Sequence, residues 1–102
     1  MKAIFLGDSI TEAVGASSVE NGYVNKTAEI CKIEVRNFGV GGTRIARQST
    51  PTEWILFDYD FQMRAKVMDK VADKVFVFGG TNDYGHGDAK LGTMESRDPY
   101  TF

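Results

Sequence analysis

The chain has 102 residues, enough for one compact domain (1–102), and its 42% hydrophobic and 25% charged residues are typical of a soluble globular fold. A formal net charge of −2 gives no electrostatic reason to expect nucleic acid or an anionic membrane surface as a partner. No apolar run approaches the roughly 20 residues of a membrane span, and the apolar start Ala3–Leu6 is too short for a signal peptide.

The chain contains one cysteine and one histidine. Cys31 cannot form a disulfide within the chain, which favours a reducing, cytoplasmic compartment. It lies in an apolar pattern, so we expect a small core residue rather than a nucleophile. One histidine and one cysteine are too few for a convincing zinc site, and no metal or cofactor is expected.

Three segments are predicted to be β-strands. The first is Lys2–Leu6, and the second, Ile33–Phe38, begins by alternating apolar and polar residues, as a strand with one polar face does. The third, Val75–Phe78, is continuously apolar and is followed by Gly79 and Gly80. Such a run is typical of a central parallel strand that is covered on both faces.

Two helices are predicted between these strands. One runs from about Asn21 to Cys31, with Ser18 or Asn21 as its cap. The other runs from about Phe61 to Ala72, where an apolar stripe has helical spacing: Phe61, Ala65, Met68 and Ala72. The order strand, helix, strand, helix, strand predicts a parallel α/β sheet.

Two segments fit no regular element. Trp54–Phe57 is an apolar run in a polar connection, and it is either a buried loop anchor or a contact surface for a second chain. The tail from Tyr84 to Phe102 contains several glycines without a sustained periodicity, and it is predicted to be loop.

Small polar residues follow each predicted strand: Gly7–Ser9, Asn37–Thr43 and Gly79–Asp83. Ligands bind outside the carboxyl ends of the strands in an open parallel sheet. Such a sheet brings these three loops, which are far apart in sequence, to one edge. The sequence therefore predicts a functional site there.

The residue types at this edge suit acyl transfer, which needs an exposed nucleophile and donors aimed at the developing oxyanion. Ser9 can supply the hydroxyl, and its own backbone N–H can be one donor. A glycine at position 41 or 42 lets a second backbone N–H approach closely. Asn82 can donate from its side-chain amide.

Each loop also has a simpler interpretation. Taken alone, Ser9 is a turn residue and helix cap, and Asn82 with Asp83 forms an Asx-turn. The glycine loop lacks the lysine of a P-loop and the G-x-G-x-x-G spacing, although backbone binding of a small anion is a further alternative. The coincidence of three loops at one edge favours the acyl-transfer hypothesis.

The stretches GDSIT, NFGVGG and GGTND, in this order, resemble the first three sequence blocks of the SGNH hydrolases, the GDSL-type lipases and esterases. The resemblance covers roughly residues 2–83. It implies a flavodoxin-like α/β/α fold and the hydrolysis of esters, including acetylated sugars, lysophospholipids and thioesters. It also implies that Ser9 is the nucleophile and that Gly42 and Asn82 are oxyanion donors.

The resemblance has further consequences for the fold and the site. The fold is expected to be α/β, a three-layer α/β/α parallel sheet with strand order 2-1-3 that is truncated after its third strand. Asp8, Gly41 and Thr81 belong to the three blocks and are candidate substrate-binding residues.

The chain departs from the family at the fourth block, an Asp-x-x-His sequence near the C-terminus of family members. The only histidine is His86, and Asp83–His86 has the literal spacing. Because His86 directly follows the third block, we expect it to line the pocket or to bond locally. The alternative is that His86, together with Asp83, acts as the general base. A smaller departure is Ala13, where family members often carry glycine.

The leading hypothesis is a serine hydrolase that acts on a small ester or acetylated substrate, with impaired activity if its base is missing. The alternative is a non-catalytic fragment that serves as a self-associating scaffold. Half a sheet exposes an edge and apolar surface, so we expect a homo-oligomer to which Trp54, Phe57 and Val75–Phe78 contribute.

Overall fold

The computed structural model describes residues 1–50 and 59–102. Three strands form one parallel sheet in the order β2-β1-β3: β1 (Lys2–Gly7), β2 (Glu34–Gly39) and β3 (Lys74–Phe78). In the register, Lys2 lies opposite Glu34, and Ala3 lies opposite Lys74. The predicted strand order and the parallel direction are confirmed.

Short helices connect and follow the strands: α1 (Ser9–Glu12), α2 (Tyr23–Cys31), α3 (Phe61–Ala65) and α4 (Thr81–His86). The predicted helix before β2 is confirmed as α2. It begins at Tyr23 rather than Asn21 because Val19–Asn21 forms a separate 3₁₀ turn and Gly22 is the cap.

The prediction that α3 continues to Ala72 is wrong. After Ala65 the backbone hydrogen bonds join residues three apart, as in a 3₁₀ turn, and not four apart. One example is Met68 N, which donates to Ala65 O at 3.3 Å. Asp69 then accepts from Lys2 Nζ at 2.8 Å and Arg36 Nη1 at 2.9 Å. These ion pairs tie the connection to β1 and β2, so the chain leaves the helix early in order to enter β3.

The loop prediction is wrong for Tyr84–His86, which belongs to α4. Tyr84 N donates to Gly80 O at 3.0 Å, so a helical turn forms despite the neighbouring glycines. Beyond α4, the only paired residues in the described tail are Lys90 and Thr101, which form an isolated bridge.

The core lies around β1, the central strand. Ala3, Ile4, Phe5 and Leu6 are each at most 3% exposed. The Phe5 ring packs edge-on against Tyr23 and stacks on Phe76, with centroids 5.8 and 4.8 Å away. The main apolar cluster joins β1 to α2 through Ala3, Phe5 and Val24.

Among the described residues β3 is an edge strand with exposed side chains, which confirms the exposure expected of half a sheet, whereas cover on both faces, of which its apolar run is typical, is not found. Val75, Phe76, Val77 and Phe78 are 53, 45, 60 and 49% exposed. Within residues 1–50 and 59–102, β1 pairs with one side of β3, and no strand pairs with the other. Trp54 and Phe57, the other expected contributors to self-association, lie outside the described residues.

Cys31 is exposed, which contradicts its predicted place in the core. It is the last residue of α2, where Ile30 is also 77% exposed, whereas the helix buries Val24 near its start. Helical spacing therefore identified the helix but not the length of its buried face. In the described part of the chain, no helix is long and apolar enough to cross a membrane.

Candidate active site

Ser9 lies where β1 ends and α1 begins. Asp8 caps this helix, because its Oδ1 accepts from Ile10 N at 2.9 Å, and it is only 1% exposed. A side chain that satisfies a free helical N–H stabilises the start of the helix. Ser9 is consequently the first helical residue and is half-buried. Substrate binding by Asp8 stays a prediction, whereas its capping bond is a structural role.

The loop after β2 packs directly on α1. A β-carbon at Gly39 would lie 2.3 Å from Glu12 N, so this close approach requires glycine. A β-carbon at Gly41 would lie 3.5 Å from Ser9 Cβ, which is van der Waals contact. Gly42 follows with a φ of 79°, a conformation that favours glycine. The glycine loop and Ser9 are therefore neighbours.

Glu12 links the same two loops. Gly41 N donates to Glu12 Oε2 at 2.6 Å, a charge-assisted bond between α1 and the glycine loop. Glu12 was not among the predicted site residues, although the capping-box spacing of Ser9 and Glu12 is a signal that could have found it. In the structure the carboxylate bonds to another loop instead, which the local pattern does not show.

The third loop is bonded to the segment that follows the glycines. Asn82 Nδ2 donates to Thr43 O at 2.9 Å. Asp83 is 2% exposed, and its two oxygens accept from Ile45 N and Ala46 N, both at 2.9 Å. Asp83 therefore holds two backbone donors in a buried place. Thr81 begins α4 and is exposed.

His86 lies one helical turn after Asn82, and its ring is engaged on both nitrogens. Nε2 is 2.9 Å from Asn82 Oδ1, and Nδ1 is 3.5 Å from Arg44 Nη1. Arginine only donates, so Nδ1 accepts there, and Nε2 carries the hydrogen that it donates to Asn82. The structure thus brings His86 to Asn82, and neither ring nitrogen bonds to Ser9.

Arg64, on α3, is a buried residue that the sequence analysis did not single out. It is 9% exposed and donates to oxygens near both strand ends: Gly7 O, Thr43 Oγ1 and Phe38 O. Burial lowers the pKa of its guanidinium, while the carboxylates of Asp8 and Glu12 act in the opposite direction. No sequence signal distinguished it, because arginines on short helices are mostly exposed.

Residues 1–50 and 59–102 contain no group of three or more histidine, cysteine, aspartate or glutamate side chains that could hold a metal ion. The geometry joins Ser9 to the glycine loop and Asn82 to the segment after it.

Comparison with known proteins gives one family and two similar solved structures. The GDSL-like lipase/acylhydrolase family matches residues 5–96. The curated proteins give no match. A crystal structure with 28% identity has a TM-score of 0.78 and is matched over 98% of this chain and 44% of its own. A crystal structure of a protein from Lactobacillus plantarum has 28% identity and a TM-score of 0.69, over 98% of this chain and 43% of its own. The chain therefore spans less than half the length of these two solved chains.

Proposed function

We propose that this chain, which belongs to the GDSL-like lipase/acylhydrolase family, carries the nucleophile and the oxyanion donors of a serine ester hydrolase. The observation that supports the proposal best is the close approach of the glycine loop to Ser9, where a β-carbon added at Gly41 would lie 3.5 Å from Ser9 Cβ. A nucleophile and its oxyanion donors must lie this close together to act on one carbonyl group.

In the proposed reaction, Ser9 Oγ adds to the carbonyl carbon of a small acyl or acetyl ester. The negative charge that develops on the carbonyl oxygen is stabilised by the backbone N–H groups of Ser9 and Gly42 and by Asn82. The Asn82 amide nitrogen carries two hydrogens, and its bond to Thr43 O uses one of them. Water takes the proton of Ser9 Oγ as the new bond forms and gives a proton to the departing alcohol, and a second water then hydrolyses the acyl-enzyme, which regenerates the Ser9 hydroxyl.

The proposal gives His86 a supporting role. Its Nε2–H holds Asn82 Oδ1, which turns the amide so that Nδ2 faces the glycine loop segment. The two similar solved chains are more than twice as long as the region they share with this chain. We propose that oxyanion stabilisation without a dedicated base gives this chain slow but measurable turnover, with water as the acceptor of the Ser9 proton.

The test of catalysis is hydrolysis of an activated acetate and labelling of Ser9 by a fluorophosphonate. Ser9→Ala should abolish both, whereas the control Ser17→Ala, at an exposed serine that accepts from Asn21, should change neither. Absence of both turnover and labelling in the folded wild-type chain would contradict the proposal for this chain.

The role of His86 is tested separately. His86→Gln retains a donor toward Asn82, so it should restore much of the activity that His86→Ala loses. A general base contributes about 100- to 10,000-fold. Losses of that size in both variants, together with loss of the acidic limb of the pH profile, would instead identify His86 as the base.

Exposed β3 favours a second function, that of a self-associating module. Among the described residues the strand presents an open edge and four exposed apolar side chains, and such edges pair readily with other strands. Under this proposal a second copy of the chain covers β3.

We also propose a cytoplasmic location, which rests on the single cysteine of the chain.

Sedimentation velocity tests the association. Replacing Val75 and Val77 with threonine keeps strand propensity while it removes apolar surface, and it should shift the distribution toward monomer. Val71→Thr is the control, since this valine is 79% exposed outside the strand. A wild-type chain that stays monomeric over a wide concentration range would contradict the second function.

A further inference from the structure

Arg64 contacts two regions that are distant from it and from each other in sequence: the end of β1, and the end of β2 with the loop that follows it. Its Nη1 donates to Gly7 O at 3.0 Å and to Thr43 Oγ1 at 2.8 Å, and its Nη2 donates to Phe38 O. Gly7 ends β1, Phe38 lies near the end of β2, and Thr43 lies in the loop that follows β2. One guanidinium thus contacts both strand ends and the glycine loop.

The positions of these acceptors matter because of what lies next to them. Gly7 precedes Ser9 by two residues, and Thr43 directly follows Gly42. The Gly7 carbonyl also accepts from Val40 N at 3.1 Å, inside the glycine loop. Thr43 in turn donates to Val40 O at 2.6 Å. The bonds of Arg64 therefore belong to a small network that spans the nucleophile loop and the oxyanion loop.

We propose that Arg64 is a positioning residue that fixes the glycine loop, and with it the Gly42 N–H, relative to Ser9. Its effect on the reaction rests on the proposed hydrolase function, whereas its effect on the geometry does not. Arg64 touches no reacting atom in this proposal, and it acts through Gly7 and Thr43.

The shape of the arginine side chain explains why this position needs it. The two terminal nitrogens of a planar guanidinium point in fixed, divergent directions, and here they reach different strands. A lysine has a single nitrogen, so it can keep the charge but cannot hold both ends. Arg64→Lys therefore separates the fork geometry from the charge.

The geometric part is tested by the backbone amide NMR signals and hydrogen-exchange rates of Ser9, Gly41 and Gly42. Arg64→Lys should shift these signals and speed their exchange. Arg36→Lys, the same substitution at an exposed arginine that pairs with Asp69, should leave them unchanged. If Arg64→Lys also leaves them unchanged, the proposal is overturned.

A second pair of variants keeps the test valid should Arg64→Lys fail to fold. Thr43→Val removes the hydroxyl that Arg64 contacts, and Thr43→Ser retains it. The amide signals of the glycine loop should move in Thr43→Val and return toward the wild-type positions in Thr43→Ser. Equal behaviour of the two variants would overturn the role of this contact.

The kinetic part is measured on the full chain with an activated acetate. Misplacement of a catalytic group by about 1 Å lowers the rate roughly 100-fold. We expect a fall of that order in kcat for Arg64→Lys and Thr43→Val with KM nearly unchanged, because the loss affects transition-state stabilisation. Unchanged kcat in folded variants would overturn the positioning role. An inactive wild-type chain would instead remove the hydrolase proposal, and the amide measurements would still decide the geometry.

Discussion

The carboxyl edge of the sheet and strand β3 differ in how polarity is matched to burial. At the edge, polar and charged side chains are almost completely buried: Asp8, Thr43, Arg64 and Asp83. In β3, consecutive apolar side chains are about half exposed. The edge is thus held by specific hydrogen bonds between loops, and β3 by pairing with one neighbouring strand.

This difference shows that the two regions depend on different interactions. A buried polar group is stabilising only while its partners are in place, because an unpaired one keeps the penalty of leaving water. Exposed apolar surface gains free energy only when something covers it. We therefore expect substitutions at the edge to act within one chain, and substitutions in β3 to act mainly through association.

The largest effect is expected from matched truncations in β1 and β3. Leu6 and Val77 lie opposite each other in the register, but Leu6 is 3% exposed and Val77 is 60% exposed. Leu6→Ala should lower the free energy of unfolding by about 3 kcal/mol. Val77→Ala should change it by no more than about 0.5 kcal/mol in dilute solution. Urea denaturation checks this, and similar losses in both variants would mean that β3 is covered.

The next effect concerns two carboxylates with the same number of backbone bonds. Asp83 accepts from two backbone donors in a buried place, and exposed Asp88 accepts from Ser49 N and Thr50 N. Asp83→Ala should destabilise the chain by about 2 kcal/mol, because buried donors lose their partner. Asp88→Ala should have a clearly smaller effect, since water replaces the carboxylate. Urea denaturation should give a clearly lower midpoint for Asp83→Ala than for Asp88→Ala. Equal midpoints for the two variants would refute the role of burial.

A smaller effect, of opposite sign, is expected at Ala13. This residue ends α1 with a φ of 82°, where a side chain is strained. Ala13→Gly should stabilise the chain by about 0.5 kcal/mol, since relief of strain outweighs the added chain entropy. Lys32→Gly is the comparison, because Lys32 ends α2 at a φ of 55°, near the centre of the left-handed region. A thermal melt in which Ala13→Gly is the less stable variant would contradict this.

The smallest effect is the dependence of stability on acidic pH. Bonds from Lys2 and Arg36 hold the pKa of Asp69 below its ordinary 3.8, and the N–H groups of Ser49 and Thr50 lower that of Asp88. Each carboxylate therefore contributes its full stabilisation when the pH is above the pKa that the group has in the unfolded chain. The contribution is lost as the pH falls through the lower pKa that the group has in the folded chain. Between about pH 5 and pH 2, Asp69→Asn and Asp88→Asn should each flatten the decline in unfolding free energy. Both carboxylates face solvent, so added salt should weaken the Asp69 contribution.

Much of the fold followed from residue patterns. Apolar runs bounded by small polar residues predicted all three strands, and their parallel order placed Ser9 beside the glycine loop. The apolar pattern alone gave the wrong burial for Cys31 and suggested cover for Val75–Phe78, whose exposure followed instead from the count of strands, because burial depends on which elements cover a face rather than on the periodicity of that face.

The bonds that shape the site were not predictable in the same way. Arg64 contacts Gly7 across 57 residues, and Asp83 contacts Ile45 across 38. Their local sequences are those of an ordinary surface arginine and an ordinary turn aspartate. Only the packing of α3 and α4 against the loops shows that these side chains are buried and bonded.

The central place of β1 has a consequence for the order of folding. Lys2 pairs with Glu34 after an intervening helix, whereas Ala3 pairs with Lys74, 71 residues away. Closing the longer loop carries an extra entropy penalty of about 0.7 kcal/mol. We expect β1 and β2 to associate first around α2, and β3 to join afterwards. Although β1 is synthesised before the other two strands, it pairs on both sides only after β3 has been made. One side of β1 therefore stays unpaired during most of synthesis.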